Sequence, residues 1–191
     1  MIKTIYFVRH GETIENTQGI LIGTQPGKLT SKGKVQAYAL AEYFRPRCIN
    51  CIYSSPLQRA QDTAAIISEK MSKEVRVMES LQERDLGNLN GVSRKEFRLL
   101  WDNQKDQLHF RPSGGESYLD ILDRVRQTLS ILKQENHHKI MVVSHGRFLK
   151  LLINYVLRRD PRFPVQQDNG CINVVNYNNK IFTVEKINVV P

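Results

Sequence analysis

Cysteine is scarce in this chain of 191 residues, which has only Cys48, Cys51 and Cys171. So small and odd a set does not build the disulfide framework of a secreted mini-domain, and reduced thiols are expected. Cys48-Ile49-Asn50-Cys51 has the spacing of a redox or zinc motif. It lacks a second pair, and a lone short motif is weak evidence. Also missing is any apolar run long enough to span a bilayer. The stretch from Met1 to Val8 is too short, and too soon interrupted by Arg9, to be a signal peptide or a span. It reads as a buried strand, and a cytoplasmic location is expected. Neither a repeat, a linker nor a biased tract is visible, which excludes solenoid, fibrous and disordered classes. With 40% hydrophobic and 25% charged residues, the length suits one domain over residues 1–191.

Charge of one sign is in excess, 28 basic against 19 acidic residues, for a formal net charge of +9. Such a balance favours an anionic partner, and phosphate esters and nucleic acids both qualify. The basic residues are spread along the chain rather than gathered in a stripe interleaved with aromatics, so nucleic acid is not the expected partner. The nearest things to clusters, Arg94, Lys95 and Arg98, and Arg158-Arg159, read as solvated helix faces.

Short apolar runs alternate with longer helical patterns, the signature of βαβ units and a mostly parallel sheet. Strands are predicted at 4–8, 51–54, 75–78, 139–144, 171–177 and 181–186, the last two joined by a turn at Asn178-Asn179 as an antiparallel edge hairpin. A helix over 30–44, capped by Thr30 or Ser31, carries Val35, Ala39, Leu40 and Tyr43 as its apolar positions. Pro56 suits the first turn of a helix over 57–71. Further helices are predicted around 93–103, after Pro112-Ser113-Gly114-Gly115, and after Gly146. The fold class is therefore α/β, a three-layer α/β/α arrangement around about six strands.

In open parallel sheets ligands bind beyond the carboxyl ends of the strands. Arg9-His10-Gly11, Ser54-Ser55-Pro56-Leu57-Gln58-Arg59, Glu83 and Ser144-His145-Gly146 all fall at such ends. Two arginines and two histidines in one cleft suit a phosphoryl group, because guanidinium forks bind its oxygens with paired, charge-assisted hydrogen bonds. Their charge disfavours protonation of His10, leaving a lone pair for attack and a covalent phosphoenzyme. His109, His137 and His138 lie in loop or surface contexts and are not assigned to the site.

These residues resemble the signature of the histidine phosphatase superfamily, also called phosphoglycerate mutase-like. Val8-Arg9-His10-Gly11-Glu12-Thr13, Asn16, Leu29-Thr30-Ser31-Lys32-Gly33 with Gln36, the run from Ser54 to Ala64, Leu81 to Gly87, Gly114-Gly115-Glu116-Ser117 and Val142 to Gly146 follow the family's order. The resemblance implies that His10 is phosphorylated in turnover, that Arg9, Arg59 and His145 form the phosphate pocket with Asn16 and the backbone near Gly23 and Gly146, and that Glu83 is the proton donor. Arg84 joins the substrate-binding set. It implies neither metal nor cofactor.

Within the family, mutases carry an insertion with adjacent arginines after the Glu83 region. Here a short stretch separates Gly91 from Pro112, and Leu86 replaces the mutases' aromatic, which favours hydrolysis over transfer. The alternatives are mutase activity and a non-catalytic phospho-ligand or RNA-binding module. Residues 86–111 are expected to select the substrate, with Phe97 and Trp101 read first as helix core. Arg147 stands where many relatives have a small residue; pointing inward, it would favour a second anionic group. The expected partner is a small phosphorylated metabolite rather than a membrane, and a homodimer stays open.

Overall fold

The first strand shows why the chain adopts this architecture: its side chains are apolar on both sides because helices cover both. In a computed structural model, which describes residues 2–191, β1 (Lys3–Arg9) lies inside a six-stranded sheet. Ile5 and Phe7 enter one core, while Val8 and Tyr6 pack into the other. That alternation is the two-residue period of a strand.

The other strands are β2 (Cys51–Ser54), β3 (Val75–Val77), β4 (Lys139–Ser144), β5 (Ile172–Asn178) and β6 (Ile181–Val189), in the order β3-β2-β4-β1-β5-β6. Pairing is parallel from β3 to β1 and antiparallel from β1 to β6. The edge hairpin turns through Asn179 and Lys180, both at positive φ, one residue later than expected.

Helices α2 (Ser31–Phe44) and α3 (Gln58–Met71) cover one face, and α5 (Tyr118–Gln134) and α6 (Gly146–Leu157) the other. Two shorter helices, α1 (Ile14–Gln18) and α4 (Arg94–Asp102), stand at the carboxyl ends of the parallel strands. The α/β three-layer class is as the sequence indicated. Among the described residues no helix is long and apolar enough to cross a membrane.

Two local expectations are corrected. Thr30 does cap α2, its hydroxyl accepting from Gly33 N at 2.9 Å, but the buried stripe is Gly33, Ala37, Leu40, Ala41 and Phe44, with Val35 65% exposed. The cause is Gly33 itself: a Cβ there would come within 2.1 Å of Glu12 O, so the helix must turn its glycine inward and Val35 outward. Pro56 lies outside the first turn of α3, ahead of the N-cap Leu57, and its carbonyl accepts from Gln61.

Candidate active site

His10 follows the last residue of β1 and is 2% exposed. Its Nδ1 lies 2.8 Å from the Gly11 carbonyl, which can only accept, so Nδ1 carries the proton and Nε2 keeps its lone pair. Arg59 Nε donates to that Nε2 at 3.3 Å. Burial, then the charges of Arg59 and Arg9, hold the imidazole well below its ordinary pKa, so the ring is neutral.

The loop after His10 is clamped. Gly11 N donates to Thr63 Oγ1, and a Cβ on Gly11 would meet Gly33 O at 2.4 Å. The His10 loop and the start of α2 thus interlock through two glycines, which explains why Leu29-Thr30-Ser31-Lys32-Gly33 accompanies Arg9-His10-Gly11.

Arg59, on the first turn of α3, is 3% exposed and spends its nitrogens in three directions. Beyond His10, Nη1 donates to Gln25 O at 2.9 Å and Nη2 to Gly23 O at 2.7 Å. Burial lowers its pKa to about 10, which leaves it charged at neutral pH. Gly23 therefore faces the site with a carbonyl engaged in orienting Arg59. Arg9 donates from Nη1 to Gln167 O at 2.7 Å, while its Nε is buried without a protein partner. Gly146 lies against this guanidinium, with an added Cβ only 3.2 Å from Nε.

His145 is fully buried, its ring centroid 5.2 Å from that of His10. Nε2 is 2.7 Å from Ser55 Oγ, and Nδ1 has no protein partner. Burial, then Arg59, His10 and Arg9, hold this imidazole too well below its ordinary pKa. Ser55 Oγ also accepts from Leu57 N at 3.2 Å, so giving its own proton to His145 Nε2 leaves Nδ1–H free to donate.

The Glu83 carboxylate caps α6: Oε2 accepts from Arg147 N at 3.0 Å, and Oε1 from Phe148 N and Arg84 N at 3.1 and 2.9 Å. Helix N-terminal amides need such acceptors, and His145 at the cap position supplies none. Asn16 Oδ1 accepts from Thr13 N and Asn169 Nδ2, which leaves its own amide protons uncommitted.

Arg84 is 2% exposed, among the rings of Phe97, Trp101, Phe110 and Tyr118 at 5.0–6.0 Å. Nε and Nη2 donate to the carbonyls of Glu116 and Phe110, and Nη1 is buried without a partner. Phe97 is 6% exposed and Trp101 packs on the core, yet both also border the cleft.

Arg9, His10, Asn16, Gly23, Arg59, Glu83 and Arg84 thus line one inner chamber of about 100 Å³. His145 lies beside His10 without lining that chamber, and Gly146 borders an adjoining outer chamber of about 540 Å³ that shares Arg9, Asn16 and Glu83 with the first. Arg94, read from sequence as part of a solvated face, and Arg147 border both chambers. Residues not assigned from sequence also hold the pocket: Asn169 Nδ2 donates to the carbonyls of His10 and Gly11, and Gln167 supplies the carbonyl for Arg9. The turn run Asp168-Asn169-Gly170 before β5 was the available signal.

The Cys48-x-x-Cys51 pair does not form a site, Cys48 being exposed and Cys51 buried. Cys51, Glu135 and His137 do cluster, but at the opposite end of the sheet, where Tyr53 and Arg76 already engage Glu135.

A family model described as histidine phosphatase superfamily (branch 1) matches residues 5–190. A Schizosaccharomyces pombe protein named as a probable phosphatase is 35% identical over 164 residues, covering 82% of this chain; the match spans 57% of that protein's length. A metal-independent phosphoserine phosphatase of Arabidopsis thaliana is 31% identical over 198 residues, covering 96% of this chain and 80% of its own. Among solved structures, the alpha-ribazole phosphatase of Shigella flexneri superposes with a TM-score of 0.86 at 27% identity, covering 97% of this chain and 96% of that one.

Proposed function

The chain belongs to the histidine phosphatase superfamily, and from that premise we propose that it hydrolyses phosphate monoesters through a phosphohistidine on Nε2 of His10. The observation that carries this reading is the tautomer: Nδ1–H is committed to Gly11 O, and the lone pair on Nε2 faces the buried guanidinium of Arg59.

In the first step the Nε2 lone pair attacks phosphorus and the ester P–O bond breaks. Glu83 gives its proton to the departing oxygen. Its Oε2 accepts one backbone N–H against two at Oε1, so Oε2 has the capacity to carry that proton. In the second step a water attacks phosphorus, loses its proton to Glu83, and the P–N bond breaks. Inorganic phosphate leaves, and both His10 and Glu83 return to their starting forms.

Charge on the transferring group is met by Arg9, Arg59 and the Nδ1–H of His145, donors already fixed by packing before the reaction begins. Asn16 and Gly146 complete the cradle, and Gly23 acts by orienting Arg59. We read the reaction as metal-independent, the guanidinium groups providing the positive charge. The substrate is a small phosphorylated metabolite, its phosphate in the inner chamber and the remainder in the outer one. Leu86 and the short run from Gly91 to Pro112 support hydrolysis rather than mutase-type transfer.

The test is phosphate release from a panel of monoesters, with and without chelator. Release that survives chelation, is inhibited by vanadate and disappears in His10→Ala supports the proposal. Activity that requires an added metal, or that persists in His10→Ala, overturns it.

A further inference from the structure

We propose that Arg147 and Lys150, with Arg94 across the cleft, form a second anion subsite, so that the preferred substrate is a phosphate monoester carrying another acidic group on a short skeleton. This rests on the hydrolase reading and adds the class of substrate.

Seven other arginines have a carboxylate within 3.8 Å. Among the described residues, Arg94, Arg147 and Lys150 have none; Arg9, Arg59, Arg84 and most surface lysines share that lack, and what sets these three apart is that all border the outer chamber and none is assigned to the phosphate pocket. The acids that share this chamber are already engaged. Glu12 is held by Lys32 and Thr30, Asp168 by Gln166 and Asn188, and Glu83 by three backbone amides.

Lys150 is only partly exposed, and burial followed by the charges of Arg147 and Arg9 lowers its pKa to about 8. Arg9, Arg94, Arg98, Arg147 and Lys150 outnumber Glu12, Glu83 and Asp168 in the chamber lining, and an anionic ligand offsets that excess of positive charge. Arg147 is held over the Tyr118 ring at 5.3 Å, so its guanidinium is anchored by stacking and keeps its donors uncommitted to any carboxylate.

The helix sets the spacing. Arg147 and Lys150 are three residues apart on α6 and share a face. Gly146, which packs on Arg9 of the phosphate pocket, lies about 6 Å along the helix axis from Lys150. A carboxylate or second phosphate a few carbons from the reacting phosphate spans that interval. A neutral sugar phosphate leaves the three cations without an anion.

The experiment compares matched substrates: glycerol 3-phosphate with 3-phosphoglycerate, and a hexose 6-phosphate with its 1,6-bisphosphate. The two pairs distinguish carboxylate from phosphate as the second group. Wild type is expected to favour the more anionic member of at least one pair by tenfold or more in kcat/KM, mainly through KM. In Lys150→Gln and Arg147→Gln that ratio falls at least fivefold, and Lys150→Arg retains it.

Titration of the same ligands into His10→Ala reads the subsite without turnover, with tighter binding of the more anionic member expected. Equal binding and equal kcat/KM within both pairs would overturn the subsite while leaving the hydrolase reading intact. Selective binding without phosphate release from any substrate would overturn the hydrolase reading while leaving the subsite.

Discussion

Acidification is a direct probe of the two buried histidines. His10 and His145 are held neutral in the folded protein, by burial first and then by Arg59 and their other cationic neighbours. In the unfolded chain both titrate near pH 6.5. The unfolded state therefore binds more protons below that pH, so the folded state is unpenalised above it and loses stability as pH falls through it. Between pH 7.0 and 5.5 linkage gives a loss of about 1.3 kcal/mol for each histidine that stays neutral, or about 2.5 kcal/mol for the pair. Urea unfolding of wild type, His10→Asn and His145→Asn at both pH values isolates this contribution, since the carboxylates are common to all three. Each variant should lose about 1.3 kcal/mol less than wild type over this interval. Identical losses in all three proteins would refute the claim that the site keeps its imidazoles neutral. The catalytic counterpart is that kcat/KM should show no decline at pH 6.5 from protonation of His10, the proposed nucleophile.

Three substitutions test the supporting geometry. Ser55→Ala removes the hydroxyl from His145 Nε2 and should cost about 1–3 kcal/mol of stability and roughly tenfold in kcat/KM, read by urea unfolding and steady-state kinetics. Arg59→Lys cannot serve Gly23 O, Gln25 O and the phosphate together, and should lower kcat/KM by about a hundredfold while far-ultraviolet circular dichroism stays unchanged. Gly33→Ala drives a Cβ into Glu12 O at 2.1 Å and should destabilise by about 1–3 kcal/mol, with activity falling as the His10 loop shifts; a variant as stable and active as wild type contradicts the interlock.

Much of this candidate site is legible in the sequence because its parts are local. A strand covered on both faces writes a continuous apolar run, as from Ile5 to Val8 and from Ile140 to Val143, and the polar residues that end such runs mark the functional edge. By spacing alone Val35 looks like core on α2, whereas Gly33 meeting Glu12 sets the rotation. Nothing local records that contact. Asn169 and Gln167 escape a local reading for a similar reason: they reach the Arg9-His10-Gly11 loop from about 160 residues away in the chain, and one acts through its backbone carbonyl. Arg94 read as a solvated charge because a helical pattern does not say which neighbour its polar face meets.

The proposed reaction requires that His10 Nε2 take the phosphoryl group. Rapid acid-free quenching of wild type during turnover of a radiolabelled phosphate monoester, followed by peptide mapping, tests it most directly. An acid-labile, alkali-stable label on the peptide containing His10, absent from His10→Asn, is the result expected. Turnover with no label at His10, or hydrolysis by His10→Asn at the wild-type rate, would contradict it.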